Sequence, residues 1–196
     1  MDTFNGFMRG EEYNVLCAFI KEHGILKEYR KEEYFIAMGA HASKIGIVLK
    51  GCFRYYAYDE EGRSCTISYG FVGDAIGSYS CMMMNCPSVV CIDALDDSEL
   101  LEITYSQLME LYRAYPQLRA VMAEVLLLQR WKENIEMKSD SLQGRYQSLK
   151  ERCPRIEQLI SQKEIASFLG ITPEYFSNMR KKLTLEEAKE ISSKER

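Results

Sequence analysis

Side chains suited to contacting DNA bases occur together in one short segment near the C-terminus. Four polar residues lie three to four positions apart and would share one face of a helix: Glu174, Ser177, Asn178 and Lys181. A Glu carboxylate can accept a hydrogen bond from cytosine N4, and an Asn amide can form two hydrogen bonds with adenine. Basic side chains beside them would pair with phosphate groups, with solvated surface charges as the alternative. These residue types at this spacing indicate a helix face that contacts nucleic acid.

The sequence around these residues predicts two short helices joined by a tight turn. Ser161 followed by Glu164 has the spacing of a capping box, and Gly170 suits the left-handed residue that ends a helix. Thr172 and Pro173 suit the cap and first position of a second helix. The apolar positions that would pack the two helices together are Ile165, Leu169, Ile171, Phe176, Met179 and Leu183. This is the helix-turn-helix pattern, with an ordinary helical hairpin as the alternative.

Cysteines and histidines are the other candidates for chemistry, and the chain has seven of the first and two of the second. No Cys-x-x-Cys pair occurs, so neither a metal site nor any cofactor is expected. Cys17, Cys52 and Cys65 fall in helix-like or strand-like runs, where burial as small hydrophobes is expected. Three more cysteines form a looser set at spacings of five: Cys81, Cys86 and Cys91. A redox-sensing thiol is an alternative, but no basic neighbour in the sequence would activate it.

Composition and charge describe a globular protein with two unlike parts. The 196 residues are 46% hydrophobic and 28% charged, enough for one ordinary domain and a small one. No membrane span or secretion signal is visible, so we expect a cytoplasmic protein without membrane contact. Residues 1–140 carry 14 basic and 21 acidic side chains, whereas residues 141–196 carry 11 basic and 8 acidic. A basic C-terminal lobe on an acidic body suits a modest DNA-binding module.

The region after a predicted helix at residues 11–24 has the pattern of a β-structure. Short runs rich in β-branched and aromatic residues occur at 25–26, 33–36, 44–49, 52–58, 63–69, 88–94 and 99–103. Turns are expected at Lys50-Gly51 and at residues 59–62. Roughly eight short strands at this density predict a closed or double-sheet structure such as a jelly roll.

Helical periodicity returns from Ser106 onwards. A short helix over residues 107–111 ends before Pro116, which opens a long helix. Its apolar positions 118, 121/122, 125 and 128 are close to a heptad seam and predict pairing with a second copy. Packing of the same stripe on the β-structure is the alternative. Residues 138–144 are predicted as a hinge, followed by a helix from about Gly144 to Arg152, and residues 184–196 as a frayed helix or tail.

A β-roll, a long helix, a hinge and a terminal helix-turn-helix together resemble the Crp/Fnr superfamily of bacterial transcription regulators. Segments similar to that family are Ile47–Gly51, Asp59–Arg63 and Ala94–Ile103, besides the helix-turn-helix. The resemblance implies an α+β fold: an N-terminal double-stranded β-helix, a long dimerisation helix and an all-α helix-turn-helix domain. The implied domains are a cyclic-nucleotide-binding-like sensor over 1–115, a dimerisation helix over 116–138 and a DNA-binding domain over 139–196.

The function implied by the resemblance is regulation of transcription, without enzymatic activity. Its expected partners are double-stranded DNA with a palindromic operator, a second copy bound through helix 116–138, a small-molecule effector and RNA polymerase. Positions matched to the family give base-reading roles to Glu174 and Asn178, whereas Arg180 is placed among phosphate contacts. The predicted DNA-binding residues are Gln162, Lys163, Thr172, Pro173, Glu174, Tyr175, Ser177, Asn178, Lys181 and Lys182. The family's β-wing has no strand pattern in residues 184–196.

The implied sensor pocket departs from the family pattern at two charged positions. Members that bind cyclic nucleotides have a Gly-Glu for the ribose and an Arg ten residues later for the phosphate, where this chain has Gly77-Ser78 and Pro87-Ser88. No Lys or Arg lies between Arg63 and Arg113, so a buried phosphate would lack compensation and cyclic AMP is not expected. The candidate ligand-binding residues are Gly77, Ser78, Tyr79, Ser80, Pro87 and Ser88.

Other interpretations of the sequence are compatible with parts of the pattern. The implied pocket is either a working site or a relic, empty or filled by Met82, Met83 and Met84. A β-roll of this kind also suits a cupin-like metal-binding enzyme, although two histidines are few for its metal site. A third alternative is a ligand-binding adaptor that uses its C-terminal helices for protein contacts instead of DNA.

Overall fold

The computed structural model describes the backbone of residues 10–194 and the side chains of residues 10–185. The described residues form two compact units, the first ending at Ser139 and the second beginning at Asp140. Elements of the first unit are, in order, α1 (Glu11–His23), β1 (Ile25–Tyr29), β2 (Tyr34–Ile36), β3 (Lys44–Lys50), β4 (Phe53–Tyr58), β5 (Ser64–Gly70), β6 (Ala75–Ile76), α2 (Tyr79–Met84), β7 (Cys91–Ala94), β8 (Ser98–Thr104), α3 (Tyr105–Ala114) and α4 (Pro116–Ser139). Elements of the second unit are α5 (Leu142–Arg152), α6 (Ile156–Leu159), α7 (Gln162–Leu169) and α8 (Pro173–Lys194).

The strands of the first unit pair into two antiparallel sheets of four strands each. One sheet has the order β1-β8-β3-β6 and the other the order β2-β7-β4-β5. In the first sheet β8 lies between β1 and β3, with Glu102 opposite Ile25 on one side and opposite Gly46 on the other. Two such sheets are the double-sheet roll that the short strands and frequent turns predicted, so the predicted fold class is confirmed.

Aromatic rings from both sheets fill the space between them. Phe53 on β4 is fully buried, and its ring meets the Tyr29 ring edge-on with centroids 5.5 Å apart. The Phe35 ring lies 6.5 Å from the Phe53 ring, also near a right angle. Edge-to-face contacts are a favoured arrangement of aromatic pairs. A one-residue slip in strand register would turn these rings towards solvent, so their burial fixes the register.

A second apolar core joins the helices of the first unit to β3 and β8. It includes Leu16, Ile20, Ile45, Ile103, Leu108, Leu111, Leu118 and Met122. The helix α3 starts at a capping box, in which the Thr104 hydroxyl accepts a hydrogen bond from the Gln107 N–H and the Gln107 side chain accepts one from the Thr104 N–H. This core packs the first turns of α4 against the roll. For these turns, the structure agrees with the alternative prediction that the apolar stripe of the long helix packs on the β-structure.

Two boundaries in the C-terminal part differ from the sequence prediction. The helix α4 runs to Ser139 and α5 starts at Leu142, so the seven-residue hinge predicted over 138–144 is wrong. Gly144 lies inside α5 because Ser141 caps that helix, its hydroxyl accepting the Gly144 N–H at 3.1 Å. The residues after Leu183 continue α8 to Lys194. Across the described helices, none combines the length and apolarity needed to cross a membrane.

The cysteines are thiols with different degrees of exposure. Cys52 is buried and Cys17 is partly buried, as their apolar surroundings predicted. Cys65 is exposed, so the expectation of burial there is wrong. It lies on β5 at the edge of its sheet, where Thr66 and Ser68 take the inward-facing positions. Alternation along the strand therefore points Cys65 outwards.

Candidate functional site

The helices α7 and α8 have the local chemistry that the helix-turn-helix pattern predicted. Ser161 caps α7 by accepting the Glu164 N–H at 3.2 Å, and Thr172 caps α8 by accepting the Tyr175 N–H at 3.2 Å. Gly170 ends α7 in the left-handed region, with φ of +73°. The following N–H, of Ile171, donates to the Ala166 carbonyl at 3.0 Å and closes the turn. Pro173 is the first residue of α8, so the Ser161 half of the predicted capping box, the left-handed Gly170, the Thr172 cap and the proline position are confirmed.

A small residue on α7 and an aromatic ring on α8 lie in the core of the helix-turn-helix. Ala166 on α7 and Phe176 on α8 have no exposed surface. The Tyr146 ring of α5 meets the Phe176 ring edge-on, with centroids 5.2 Å apart. Burial of Phe176 and Met179 fixes the rotation of α8 about its axis. The polar residues of α8 are thereby turned outwards.

The residues predicted to bind DNA lie on the outward side of α7 and α8. Exposed members of the set are Gln162, Lys163, Thr172, Pro173, Glu174, Tyr175, Asn178, Lys181 and Lys182, while Ser177 is half-buried. Gln162, Ser177 and Lys181 line one open depression of about 500 Å³, so the first residue of α7 lies beside the polar face of α8. The structure brings these three predicted residues together on one surface.

Arg180 has a partner inside the second unit. Its Nη2 donates to Glu157 Oε2 at 2.7 Å, and the Tyr146 hydroxyl donates to the other carboxylate oxygen of Glu157. Burial, followed by the neighbouring Glu157, raises the pKa of Tyr146. A DNA phosphate would have to compete with this carboxylate for Arg180. The contact ties α6 to α8, a role that the sequence did not predict for Arg180.

The helix α4 presents an apolar face that the first unit leaves exposed. Four residues on it have more than half of their surface exposed: Leu127, Leu128, Trp131 and Ile135. Val121, Leu128 and Ile135 are spaced by seven, as in a heptad seam. Leu118 and Met122 are buried in the first unit, as the alternative interpretation of the stripe predicted. The exposed or half-buried positions spaced by seven, here called the apolar seam of α4, are Val121, Leu128 and Ile135.

A cavity of about 90 Å³ lies in the first unit beside α4. Its walls are mainly apolar, with several tyrosines and one guanidinium, and are formed by Leu16, Ile45, Tyr55, Ser68, Ala75, Ile76, Gly77, Tyr79, Tyr112, Met122, Leu126 and Arg130. A cavity of about 150 Å³ holds benzene, so this one suits a molecule much smaller than a nucleotide.

Hydrogen bonds between residues of the cavity wall fix its polar groups. The Tyr55 hydroxyl accepts the Gly77 N–H at 3.0 Å, and the hydroxyls of Tyr79 and Tyr112 lie 2.8 Å apart. Burial raises the pKa of Tyr55 and of Tyr112, so both hydroxyls stay protonated at neutral pH. Arg130 Nη1 donates to Glu133 Oε2 at 2.6 Å on the same helix. The wall therefore offers neutral hydroxyls and one paired cation.

Of the six residues predicted to bind a ligand, the cavity wall includes Gly77 and Tyr79. Ser78 and Ser88 are buried with their hydroxyl oxygens 2.9 Å apart, and Ser80 and Pro87 are exposed. The two serines occupy positions where cyclic-nucleotide-binding members have charged residues, and here they satisfy each other. Ser88 also lies 2.8 Å from the Val90 carbonyl, to which its single hydrogen can donate instead.

Among the cavity-wall residues that the sequence analysis missed are three that lie far from residues 77–88 in the sequence. Tyr55, Tyr112 and Arg130 reach the cavity from β4, α3 and α4. The expectation that no cation reaches the pocket considered only residues 64–112, and Arg130 lies outside that range. Of the three methionines considered as a filling of the pocket, Met84 is 77% exposed, whereas Met82 is buried in the same core cluster as the wall residues Leu16 and Ile45. Among residues with described side chains, no three His, Cys, Asp or Glu could together hold a metal ion.

Comparison with protein families gives a match for part of the first unit. Residues 26–115 match the family described as a cyclic nucleotide-binding domain. This segment runs from β1 to the residue that follows α3, and includes both sheets and α2. A search of curated proteins gave no match.

Solved structures share the fold along most of the chain. FixK2 from Bradyrhizobium japonicum is 19% identical, with a TM-score of 0.71 over 84% of this chain and 86% of that chain. The c-di-GMP-responsive global regulator CLP from Xanthomonas campestris is 17% identical, with a TM-score of 0.66 over 89% and 92% of the two chains. The Thermus thermophilus catabolite activator protein is 17% identical, with a TM-score of 0.57 over 92% and 87%. The predicted resemblance to Crp/Fnr regulators is thus confirmed in family domain and fold.

Proposed function

We propose that this chain, with a cyclic nucleotide-binding domain over residues 26–115 and the fold of the Crp/Fnr regulators, is a transcriptional regulator that binds DNA as a homodimer. The observation that carries the proposal is the outward polar face of α8 on a capped and tightly packed helix-turn-helix. Its first turns expose Glu174 and Asn178, which suit base edges. Lys163, Lys181 and Lys182 surround that face and suit phosphate groups.

The dimer is proposed to form through the apolar face of α4. An exposed helix face with Leu128, Trp131 and Ile135 is costly to leave in water and matches a second copy of itself by two-fold symmetry. A single helix-turn-helix reads one half-site, so a two-fold dimer gives the palindromic operator. The proposed domain roles are then sensing by residues 1–115, pairing by 116–138 and DNA binding by 139–196.

The effector is proposed to occupy the cavity beside α4, where Gly77, Tyr79 and Arg130 meet. A ligand in this position would contact both the roll and α4. It would therefore favour the positions of α4, the proposed dimerisation helix, in which both contacts are made. The small volume and mainly apolar wall favour a compact ligand over a nucleotide. Millimolar cyclic AMP is therefore expected to leave the melting temperature unchanged in a thermal-shift assay, because only a bound ligand stabilises the folded state. A rise in melting temperature that saturates with cyclic AMP would contradict this assignment.

Salt-dependent binding to duplex DNA tests the proposed interface. The triple variant Lys163→Ala, Lys181→Ala, Lys182→Ala should weaken binding and flatten the plot of log affinity against log salt, by about one unit of slope per lost phosphate contact in each protomer. Fluorescence anisotropy of labelled duplex DNA across a range of salt concentrations measures both quantities.

A matched control removes the same charge from the first unit. Lys21, Lys27 and Lys31 are exposed on α1, on β1 and in the turn after β1. Replacing these three by alanine should leave the salt slope at its original value. If both triple variants lose the same slope, or if the unmodified chain shows no salt dependence, α7 and α8 do not form the DNA interface.

A further inference from the structure

Two cysteines meet at the end of α2, directly after the segment that holds Gly77 and Ser78. Asn85 ends the helix in the left-handed region, with φ of +50°. The Cys86 N–H donates to the Cys81 carbonyl at 3.0 Å, and the Asn85 N–H donates to the Met82 carbonyl at 3.3 Å. These two bonds define a Schellman motif, in which the first and last residues commonly bring their side chains into contact. Here those residues are Cys81 and Cys86, whose side chains the turn brings next to each other.

The surroundings of the pair distinguish one sulfur from the other. Burial alone would raise the pKa of Cys81, but hydrogen bonds from Ser78, from the Val89 N–H and from the Cys86 thiol outweigh it and lower that pKa. Partial desolvation and the adjacent Cys81 sulfur raise the pKa of Cys86. Cys81 is therefore the sulfur that bears negative charge more readily, although no Lys or Arg lies between Arg63 and Arg113.

We propose that Cys81 and Cys86 form a pair of thiols in the first unit that hydroperoxides oxidise to a disulfide. In the first step the Cys81 thiolate attacks the peroxide, forming a sulfur–oxygen bond and breaking the oxygen–oxygen bond. With hydrogen peroxide the leaving hydroxide takes a proton and departs as water, which leaves Cys81 as a sulfenic acid. The Cys86 sulfur then attacks the Cys81 sulfur, forming the disulfide and releasing a second water. Two thiols lose two electrons, and one peroxide gains them.

Geometry and access favour this pair over the other cysteines. The backbone turn already places Cys81 and Cys86 side by side, so the second step needs no large rearrangement of the backbone. Cys81 is 7% exposed and Cys86 is partly exposed, which suits a small oxidant such as hydrogen peroxide. Cys65 is far more exposed, but it lies on the outer side of β5, where its thiol donates to the carbonyl of Arg63, two residues earlier. Oxidation governed by exposure alone would therefore select Cys65.

Mass spectrometry after differential alkylation tests the proposal on the full chain. The reduced protein is treated with an equimolar amount of hydrogen peroxide, and free thiols are blocked with iodoacetamide under denaturing conditions. Disulfides are then reduced and labelled with N-ethylmaleimide. We expect N-ethylmaleimide on both Cys81 and Cys86, and carbamidomethyl groups from iodoacetamide on Cys65 and the remaining cysteines. A second label on a different pair, or modification of Cys65 before Cys81, would overturn the proposal.

Two single variants separate the roles of the sulfurs. In Cys86→Ser the disulfide cannot form, so dimedone should trap a sulfenic acid on Cys81. In Cys65→Ser, the matched control, formation of the Cys81–Cys86 disulfide should proceed at the original rate. Dimedone on Cys65 but not on Cys81 in the Cys86→Ser variant would refute the assignment. Because both cysteines lie in the first unit, these outcomes do not depend on whether the chain binds DNA.

Discussion

Asn178 and Lys181 are exposed on the same face of α8 but suit different parts of a DNA duplex. An Asn amide suits the edge of adenine, so Asn178→Ala should lose about 1–3 kcal/mol of preference for the selected operator. A Lys ammonium suits phosphate, so Lys181→Ala should weaken binding to operator and unrelated duplex alike. Competition anisotropy with both duplexes measures the ratio of the two affinities.

The ratio of affinities separates the two residues more clearly than either affinity alone. Asn178→Ala should lower the ratio, and Lys181→Ala should leave it near its original value. If Asn178→Ala weakens both duplexes equally, Asn178 contacts the DNA backbone or acts only on folding. Circular dichroism of each variant checks that the helices remain formed.

Two glycines of the second unit differ in conformation and should respond oppositely to a methyl group. Gly170 has φ of +73° and open space at its Cβ position, so Gly170→Ala costs only backbone strain, about 1–2 kcal/mol. Gly144 lies within α5, and its added Cβ would meet Ser141 Oγ at 3.4 Å, an ordinary contact. Gly144→Ala should therefore stabilise the second unit by about 0.5–1 kcal/mol.

Chemical denaturation followed by circular dichroism measures both glycine variants. Both substitutions add one methyl group. Changes of opposite sign in the free energy of unfolding would therefore be due to the different backbone conformations of the two glycines. Equal destabilisation by Gly170→Ala and Gly144→Ala would contradict the left-handed end of α7 as the feature that fixes the turn.

At the scale of elements, local patterns could be predicted from sequence and contacts between distant elements could not. Ser161, Gly170 and Thr172 act on backbone groups within a few residues, so their roles follow from spacing alone. The sequence left two environments open for Leu118, which is apolar in either, and only the fold shows that it packs in a core with residues of α1 and α3. Arg130 was missed in the cavity because it reaches the wall from another element. Sequence periodicity finds an apolar stripe but does not identify its partner.

The apolar seam of α4 predicts how charge affects self-association. Leu128→Glu would place two carboxylates near the two-fold axis of the proposed dimer, where they would repel each other across a desolvated contact. We expect the dimer dissociation constant to rise at least about tenfold, equivalent to 1.4 kcal/mol. Sedimentation velocity over a range of protein concentrations measures that constant.

Ala123→Glu is the matched control for the seam, since Ala123 is exposed on α4 outside the spacing of seven. It introduces the same charge on the same helix and should leave the dissociation constant unchanged. A monomeric unmodified chain, or equal dissociation in both variants, would remove α4 from the proposed interface.

The first unit as a whole should lose stability in alkaline solution. Burial raises the pKa of Tyr13 and of Tyr112 above the ordinary tyrosine value of about 10. The folded state thus keeps these protons while the unfolded state releases them, so their stabilisation is complete below about pH 10 and falls as pH rises further. Each group can contribute up to about 1.4 kcal/mol per pH unit.

Tyrosinate absorbance and circular dichroism recorded together test this pH dependence. The buried tyrosines should ionise only at the pH at which the circular dichroism signal of the folded state is lost. Tyr112→Phe removes one of the buried groups and should make the loss of stability with pH less steep. Full ionisation of the tyrosines near pH 10 with the fold intact would contradict the proposed origin of the effect.

Selection of bound DNA from a random duplex pool tests the central claim most directly. The full chain is used with and without a cell metabolite extract, beside the variant Glu174→Ala, Asn178→Ala. We predict enrichment of an inverted repeat in at least one condition, with half-sites separated by about one helical turn or a multiple of it. The variant should lose that motif while retaining weak, salt-sensitive binding. Absence of any two-fold-symmetric motif in both conditions, or the same motif recovered by the variant, would contradict the assignment of α8 as a recognition helix in a dimeric regulator.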